Sequence, residues 1–306
     1  MRHSLKILVA TCAVSVTAWA SDKPIEVKAG DALPSRVIST SHLGPFKHDL
    51  PAILPMVVVS FQTQASEKGG GGPLGMGVFS SGALQYTLDG VSPDTMQKVA
   101  DEAQRAIEAE LVAAGWQVMS ADKAVDTDAY KSWSKTPDVS GSEVKRQFFS
   151  AGKGTNSFSS NEMERVFVAG KRPLVGNGVV LGGWTAAGPL CQIGKATGAK
   201  VILFRAIVNF ANINAGKRGF FGGQAWKSES VLEVSYAEMD VYPPDSSGAT
   251  PARLITDSAV TLRSEFVKDV KKSGSHYTVV ADPERYATDS IEAIRVIAKG
   301  FAAESK

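Results

Sequence analysis

The chain has 306 residues, of which 43% are hydrophobic, so it is long and apolar enough to bury a substantial core. Its 33 basic and 31 acidic residues give a formal net charge of +2. Arg2 and Lys6 account for that excess. The remaining chain is neutral, which excludes a global electrostatic attraction to nucleic acid or to an acidic membrane.

Residues 1–20 have the pattern of a secretory signal peptide. A positive start is followed by an apolar run at residues 7–16, and the small-x-small sequence of residues 18–20 fits cleavage after Ala20. The run is shorter than the roughly 20 residues that a membrane-spanning helix needs. We therefore expect a mature chain that begins at Ser21 and is periplasmic, secreted or at the cell surface.

The two cysteines have different interpretations. Cys12 raises the question of a lipid anchor, but Thr11 before it fits a lipid-attachment site poorly, so cleavage after Ala20 is favoured. Cys191 is then the only cysteine of the mature chain, which leaves no intrachain disulfide. Its apolar, glycine-rich surroundings favour a small buried hydrophobe over a reactive or intermolecular thiol.

Residues 21–55 are predicted to form an extended arm that lies on the domain. Prolines exclude a continuous helix here, and they are Pro24, Pro34, Pro45, Pro51 and Pro55. His42 and His48 lie in this arm without helical spacing and without a cysteine or a carboxylate pair. We interpret them as surface histidines rather than as a metal site. The rest of the chain, residues 56–306, is predicted to be one α/β domain.

The domain begins with a predicted strand, loop, helix and second strand. Residues 56–61 form a short apolar, β-branched run, typical of a strand buried on both faces. A loop is predicted over residues 62–91, with glycines at residues 69–72. It would be far longer than the usual connection of about 2–6 residues. We therefore expect a partner to bind there.

The helix after this loop has the clearest boundaries in the sequence. Ser92 is a predicted N-cap, Pro93 takes the first helical position, and Gly115 supplies the C-cap before a strand at residues 116–119. Apolar residues recur at helical spacing, namely Met96, Val99, Ala103, Ile107, Leu111 and Ala114. The opposite positions are interpreted as a solvated face without an acid–base pair, and they are Asp94, Gln97, Asp101, Arg105 and Glu108.

Residues 122–183 are predicted to be an irregular insertion with weak periodicity. Within it we predict a short helix at residues 142–150 and a strand or helical turn at residues 162–168. The sequence of residues 152–155 is similar to a phosphate loop, but Gln147 occupies the position where that motif needs its first glycine. Nucleotide binding is therefore not predicted.

Regular patterns return after this region. A helix is predicted at residues 189–197 and ends at Gly198, and the nearly apolar run at residues 200–210 is typical of a central strand. Arg205 interrupts that run. Because a buried arginine needs a partner, we expect Arg205 where the strand leaves the core.

A glycine-rich turn is predicted at residues 216–223, with Phe220 and Phe221 at its tip. Two adjacent aromatic residues on such a turn either pack back onto the domain or provide a contact point for a partner or a membrane interface.

The C-terminal region is predicted to contain two antiparallel strands and a helix. Residues 224–242 form a long strand whose apolar positions change face after Tyr236, and this change indicates a bulge. Residues 253–267 alternate as in a strand with one wet face. Asp282 and Pro283 open the last helix, whose apolar stripe is expected to pack on the sheet.

The sequence contains no HExxH, CxxC, GxSxG or Walker motif, so it predicts neither a metal site nor a cofactor, and it favours a protein that is not an enzyme. Catalysis by paired carboxylates needs none of these motifs. A hydrolase that uses carboxylates from residues 122–183 therefore stays open as the least favoured hypothesis.

Three short segments carry a resemblance to a known family. Residues 57–61 (VVVSF) look like its first strand, residues 114–118 (AGWQV) like its helix end and second strand, and residues 195–202 (KATGAKVI) like a helix end that leads into a central strand. Together with the later strand pair and the final helix, residues 56–300 resemble the periplasmic α/β domain shared by the curli secretion protein CsgG and the N-terminal domain of TolB.

The resemblance implies an α/β fold with a mixed sheet, helices packed on it and an extended N-terminal arm. It also implies a non-catalytic exported protein that acts as an assembly or accessory module of the envelope or cell surface. The implied partners are other envelope proteins or further copies of the chain, with peripheral outer-membrane association and without nucleic acid or a transmembrane helix. Residues 74–88 are interrupted by glycines and do not alternate over the roughly 9–11 residues of a pore strand, so a pore is not expected.

The alternative is a periplasmic protein that binds a small ligand or a polysaccharide. Open α/β sheets bind ligands beyond the carboxyl ends of their strands, and Gln62, Thr63 and Gln64 follow the first strand. The candidate contacts for a ligand or partner are Gln62, Thr63, Gln64, Lys68, Phe79, Phe220 and Phe221.

Overall fold

A computed structural model describes residues 24–41, 46, 48–68, 83–133, 140–145, 163–170, 187–218, 224–244 and 251–305. The predicted signal peptide and the glycines of residues 69–72 lie outside these ranges, and so do His42, Phe79, Phe220 and Phe221.

The described residues form five α-helices and fifteen strands, with a 3₁₀ turn at Ser35–Val37. The helices are α1 (Pro93–Ala113), α2 (Asp122–Val125), α3 (Asp128–Trp133), α4 (Ala187–Thr197) and α5 (Pro283–Glu304). The strands are β1 (Ile25–Val27), β2 (Ile38–Ser41), β3 (Ala52–Lys68), β4 (Ala83–Asp89), β5 (Val118–Met119), β6 (Glu143–Lys145), β7 (Met163–Gly170), β8 (Lys200–Asn209), β9 (Asn212–Arg218), β10 (Gln224–Glu229), β11 (Leu232–Tyr242), β12 (Ala252–Thr256), β13 (Val260–Leu262), β14 (Val267–Ser273) and β15 (His276–Ala281).

Thirteen of the described strands form one mixed sheet, and β9 and β10 form a separate antiparallel ribbon. The main order is β1-β13-β11-β8-β3-β4-β15-β14, while β2, β5, β6, β7 and β12 pair at its sides. Strands β3 and β8 are parallel neighbours, whereas β7 and β11 run antiparallel to them. The prediction of a mixed α/β fold is therefore confirmed.

Strand β3 is the centre of the sheet and is longer than predicted. It begins at Ala52, inside the predicted arm, and every residue from 52 to 62 is buried. Pro55 has no N–H to donate to a neighbouring strand. The pairing of β3 with β8 accordingly shifts in register between Ile53 and Met56, which accommodates the proline.

The predicted loop over residues 62–91 is wrong at both of its ends, whereas residues 69–82 lie outside the described ranges. β3 continues to Lys68, and β4 returns antiparallel to it, with Gln64 opposite Thr87 and Lys68 opposite Ala83. Residues 62–68 are mostly polar, so their strand structure comes from backbone pairing with β4 and β7 rather than from an apolar pattern.

The sheet is covered on both faces. Helices α1 and α5 pack on each other and on one face, where Val57, Val59 and Phe61 of β3 point. Helix α4 packs on the opposite face, where Met56 and Val58 point. Because side chains alternate along a strand, two-sided burial explains the continuous apolar run that the sequence shows here.

Both long helices begin as predicted. The Ser92 hydroxyl accepts a hydrogen bond from the Thr95 N–H at 3.1 Å, and the Asp282 carboxylate accepts from the N–H groups of Glu284 at 3.0 Å and Arg285 at 3.1 Å. Gly115 follows α1 at a φ of +98°, a left-handed conformation that favours glycine.

The described parts of region 122–183 contain more regular structure than the sequence suggests. Residues 143–145, where a helix was expected, form β6 instead, so that prediction is wrong. The strand alternative for residues 162–168 is confirmed, because β7 pairs with β3 from Met56 to Gln64. Helices α2 and α3 are too short to give a clear helical period, which explains why the sequence pattern missed them.

The C-terminal strands are confirmed with two breaks. The strand expected over residues 224–242 is divided into β10 and β11, and the strand expected over 253–267 into β12 and β13. The predicted bulge is present as a register shift between Val234 and Tyr236 in the pairing of β11 with β8.

The N-terminal arm joins the two ends of the chain. β1 pairs with β13 and β2 with β12, so the arm contributes edge strands. The Leu33 N–H donates to the Val296 carbonyl of α5 at 3.1 Å, and the Trp116 indole N–H donates to the Ser305 hydroxyl at 2.9 Å. Helix α5 is thus fixed by segments that are distant in sequence.

We expect Gly300→Ala to destabilise the protein although it replaces a glycine in a helix. A Cβ at Gly300 would lie 2.6 Å from Leu33 Cβ and 2.8 Å from the Leu33 carbonyl oxygen. The overpacking cost of about 1–3 kcal/mol should exceed the gain of about 1 kcal/mol in helix propensity. Urea unfolding gives the change in the free energy of unfolding.

The matched control is Gly188→Ala in α4, where an added Cβ has no atom within 4 Å. It should leave stability unchanged or raise it. Equal effects of the two substitutions would show that the arm does not pack against α5 at Leu33.

Candidate functional site

The α4 face of the sheet changes from apolar to polar along its strands. Near α4 it carries Met56, Val58, Val201, Leu203 and Tyr242. Further along, it carries polar and charged side chains that are each at most 7% exposed. We call this set the polar face: Ser60, Gln62, Glu164, Arg205, Asn209, Glu233, Glu238 and Asp240.

Strand alternation explains the position of these side chains. On β8, Phe204 and Ala206 belong to the core under α1 and α5, so Arg205 points to the opposite face. On β11, Met239 and Val241 belong to the same core, which directs Glu238 and Asp240 away from it. The pairing then places Arg205 opposite Glu238 and Arg253 opposite Asp240.

Three of these side chains and the neighbouring Arg253 form an ionic network, defined as Arg205, Glu238, Asp240 and Arg253. Arg205 forms an ion pair with Glu238 and lies 3.7 Å from an Asp240 oxygen. Arg253 binds Asp240 in a bidentate manner, with Nε–Oδ1 at 2.6 Å and Nη2–Oδ2 at 2.9 Å. Two guanidinium groups balance two carboxylates, so the network is neutral.

Two tyrosines extend the network. The Tyr236 hydroxyl donates to Glu238, and the Tyr242 hydroxyl donates to Asp240 at 3.3 Å. Burial raises the pKa of both phenols, and the nearby Asp240 charge raises the pKa of each further. Both tyrosines therefore keep their protons at neutral pH and act as hydrogen-bond donors.

The Arg253 guanidinium likewise stays protonated. Burial by itself lowers the pKa of Arg253, but its hydrogen bond to Asp240 and the charge of Asp240 raise that pKa, which ends above its ordinary value. The guanidinium and the two phenols thus hold their protons at neutral pH, whereas a general acid or base needs a pKa near the working pH. This arrangement is suited to fixing neighbouring strands relative to one another and to binding polar groups.

The structure corrects the prediction for Arg205. It lies within β8 and is paired there, rather than at the point where the strand leaves the core. The partners were missed because Glu238 and Asp240 were not recognised in the β11 pattern. Two carboxylates that alternate with Met239 and Val241 are the signal that points to buried cationic partners.

The predicted contacts on β3 lie at the end of the polar face. Gln62 is 2% exposed and lies opposite Glu164 of β7. Within the described residues, its Oε1 atom accepts no hydrogen bond. The Thr63 hydroxyl donates to the Met163 carbonyl at 3.3 Å.

The other predicted contacts lie apart from Gln62. Gln64 pairs with Met163 of β7 and with Thr87 of β4, which places it where the two pairings meet. Lys68 is the last residue of β3. Phe79, Phe220 and Phe221 fall outside the described ranges, so the structure does not test whether they lie near Gln62.

No group of three or more His, Cys, Asp or Glu residues in the described ranges could hold a metal ion. The His48 ring packs against the Trp116 ring at a tilt of 46° with centroids 4.5 Å apart, and Cys191 is buried in α4. In the region proposed for a hydrolase, Glu143 is paired with Arg165 at 2.6 Å.

Comparison with known protein-family models, curated proteins and solved structures gives no match. Among the described helices, none has the length and apolar character required to cross a bilayer.

We expect Arg205→Met to lower the free energy of unfolding by about 3–5 kcal/mol, because it removes the close cationic partner of the buried Glu238 carboxylate. The double variant Arg205→Met/Glu238→Leu should recover much of this loss, since it removes a buried charge together with its partner. Chemical denaturation of each variant measures both effects.

The control is Arg105→Met on α1, which breaks an exposed pair with Glu102 whose side chains are 65% and 38% exposed. Its effect should stay within about 1 kcal/mol. If Arg205→Met were equally mild, the ionic network would not be buried as described.

Proposed function

We propose that this protein is a non-catalytic exported module of the cell envelope or cell surface that assembles with other envelope proteins or with further copies of itself. The observation that carries the proposal is the ribbon of β9 and β10. Within the described part of the chain, this ribbon pairs with no strand of the main sheet.

Among the described residues, the ribbon has unused pairing capacity along its outer edges. β9 and β10 pair with each other from Asn212 opposite Glu229 to Arg218 opposite Gln224. An isolated two-stranded ribbon is only marginally stable in water, and its outer edges present backbone donors and acceptors. A strand supplied by a partner would pair with such an edge and stabilise the ribbon.

A second hairpin begins at the same end of the sheet. Phe61 of β3 lies opposite Val208 of the parallel strand β8. Beyond this point β3 continues into its pairing with β4, and β8 is followed by the ribbon. Two neighbouring hairpins at one end of the sheet form a broad backbone surface. Such a surface suits an assembly contact better than a small enclosed reaction site.

Other observations support the same proposal. The signal peptide pattern favours export. The resemblance to the CsgG and TolB N-terminal α/β domain implies work in envelope assemblies, and the order of strands and helices is compatible with a mixed α/β domain. The ionic network supplies a rigid charged layer whose guanidinium and phenol groups keep their protons.

The proposal predicts that the ribbon is needed for assembly. The mature chain should form an oligomer or a membrane-retained complex, measured by light scattering after size exclusion and by fractionation in detergent. Replacing residues 212–229 with a short Gly-Ser linker should give a folded monomer, because the unpaired strand edges are removed.

A control variant carries the same linker as an insertion after Gly274, in the exposed turn between β14 and β15, and should assemble normally. A compact monomer from the unaltered mature chain under both conditions would contradict the assembly proposal.

A second candidate function is binding of a small ligand or a polysaccharide beside Gln62, which lies within β3. The specific observation is the buried Gln62 Oε1, which accepts no hydrogen bond within the described residues. Such a buried polar atom costs about 1–3 kcal/mol. A ligand hydroxyl that donates to it would recover this cost.

For this second function, a panel of oligosaccharides should contain a member that raises the melting temperature of the protein. Gln62→Leu and Gln64→Leu should abolish the rise. Without ligand, Gln62→Leu should leave the free energy of unfolding unchanged or raise it, because the substitution removes a buried acceptor that has no donor among the described residues.

The exposed Gln117 provides the matched control. Gln117→Leu should retain the ligand response, and a response that survives Gln62→Leu would exclude Gln62 from the site.

A further inference from the structure

A cleft lies beside the second half of α1, far along the helix from its N-cap. It has a volume of about 710 Å³ and is bounded by α1 and by the segment from Val118 to Asp122, which contains β5. This volume falls within the range of about 300–1,000 Å³ found for sites that bind small molecules.

The walls of the cleft are largely apolar. Ala109, Val112 and Ala113 of α1 face Val118 and Met119 of β5 across it. Val112 is 56% exposed, which makes it one of the most exposed large apolar side chains in the described residues. The cleft thus offers an apolar surface that water covers in the isolated chain.

Glu108 is a polar residue that lies beside these apolar walls. Burial raises its pKa above the ordinary value, while a hydrogen bond from the Gln104 amide at 3.2 Å acts in the opposite direction. Within the described part of the chain, no Lys, Arg or His lies within ion-pair distance of Glu108. Glu108 is half-buried on the face of α1 that the sequence assigns to solvent.

The remaining charges of the cleft favour a cation. Arg105 also lines the cleft. Its guanidinium is already paired with the Glu102 carboxylate at 2.5 Å. Asp122 adds a second carboxylate, which accepts a hydrogen bond from the Ser120 hydroxyl at 3.1 Å. An anion would meet two carboxylates here, and a purely apolar ligand would leave Glu108 without a counter-ion.

We propose that this cleft binds a small organic cation, with a primary ammonium group paired to the Glu108 carboxylate and an apolar portion packed on Val112 and Met119. This inference is independent of the assembly proposal, since it concerns α1 and β5 rather than the hairpins. A bare divalent metal ion is a poorer fit, because it takes several oxygen ligands and the described residues provide no such group.

The proposal has a defined pH dependence. Binding needs the ionised carboxylate, so affinity should fall as the pH drops through the pKa of Glu108, and bound amine should lower that pKa. In the absence of amine, the raised pKa of Glu108 means that ionisation of its carboxyl group lowers the stability of the folded protein when the pH is above that pKa. Glu108→Gln should therefore fold normally at neutral pH.

The test uses the full mature chain with n-hexylamine, n-hexanol and hexanoate as probes, followed by calorimetry and by amide chemical shifts. Hexylamine should bind and shift the amides of residues 105–122, whereas hexanol should bind more weakly and hexanoate not at all. Shortening the alkyl chain should weaken binding by about fourfold per methylene.

Glu108→Gln should weaken hexylamine binding by at least about tenfold, and Val112→Ser should reduce the dependence on chain length. Glu110→Gln, on the same helix but outside the cleft, is the matched control and should bind as the unaltered protein does. Equal binding of hexylamine and hexanol, or full binding by Glu108→Gln, would overturn the proposal.

Discussion

A strand that is buried on both faces must be covered twice, and β3 imposes this requirement on the whole molecule. Every residue from 52 to 62 is buried, so one layer of helices is not enough. Helices α1 and α5 supply an apolar cover on one face, and α4 begins a cover on the other. The polar side chains on that second face cannot reach water, so they have to be balanced by one another.

This constraint links the ionic network to function. Arg205, Glu238, Asp240 and Arg253 form ion pairs with one another within the sheet, and the phenols of Tyr236 and Tyr242 retain their protons. A layer of this kind fixes strand register and gives a rigid base, whereas a catalytic centre needs groups that exchange protons near neutral pH. The surfaces with unused capacity lie elsewhere, on the edges of the β9–β10 ribbon and in the cleft beside α1.

Local signals in the sequence predicted the starts of the two long helices, whereas partners distant in sequence limited the prediction of the strands and of the site. Ser92 and Asp282 mark helix starts because a cap depends on neighbouring residues alone. The extension of β3 to Lys68 depends on β4 and β7, and its polar residues give no apolar pattern. Arg205 was misplaced for the same reason, since its partners are more than thirty residues away on β11. Gln62 was selected from its position alone, and only the fold shows that its oxygen is buried.

The attachment of the N-terminal arm to the last helix also sets the order in which this chain can fold. Leu33 packs against Gly300, β1 pairs with β13, and Trp116 binds Ser305. None of these contacts can form until the C-terminal residues have been synthesised, and contacts between such distant segments form slowly. The described fold therefore stays incomplete until residues 296–305 have been synthesised. Such a delay suits the exported module proposed above, which would complete its folding after translocation.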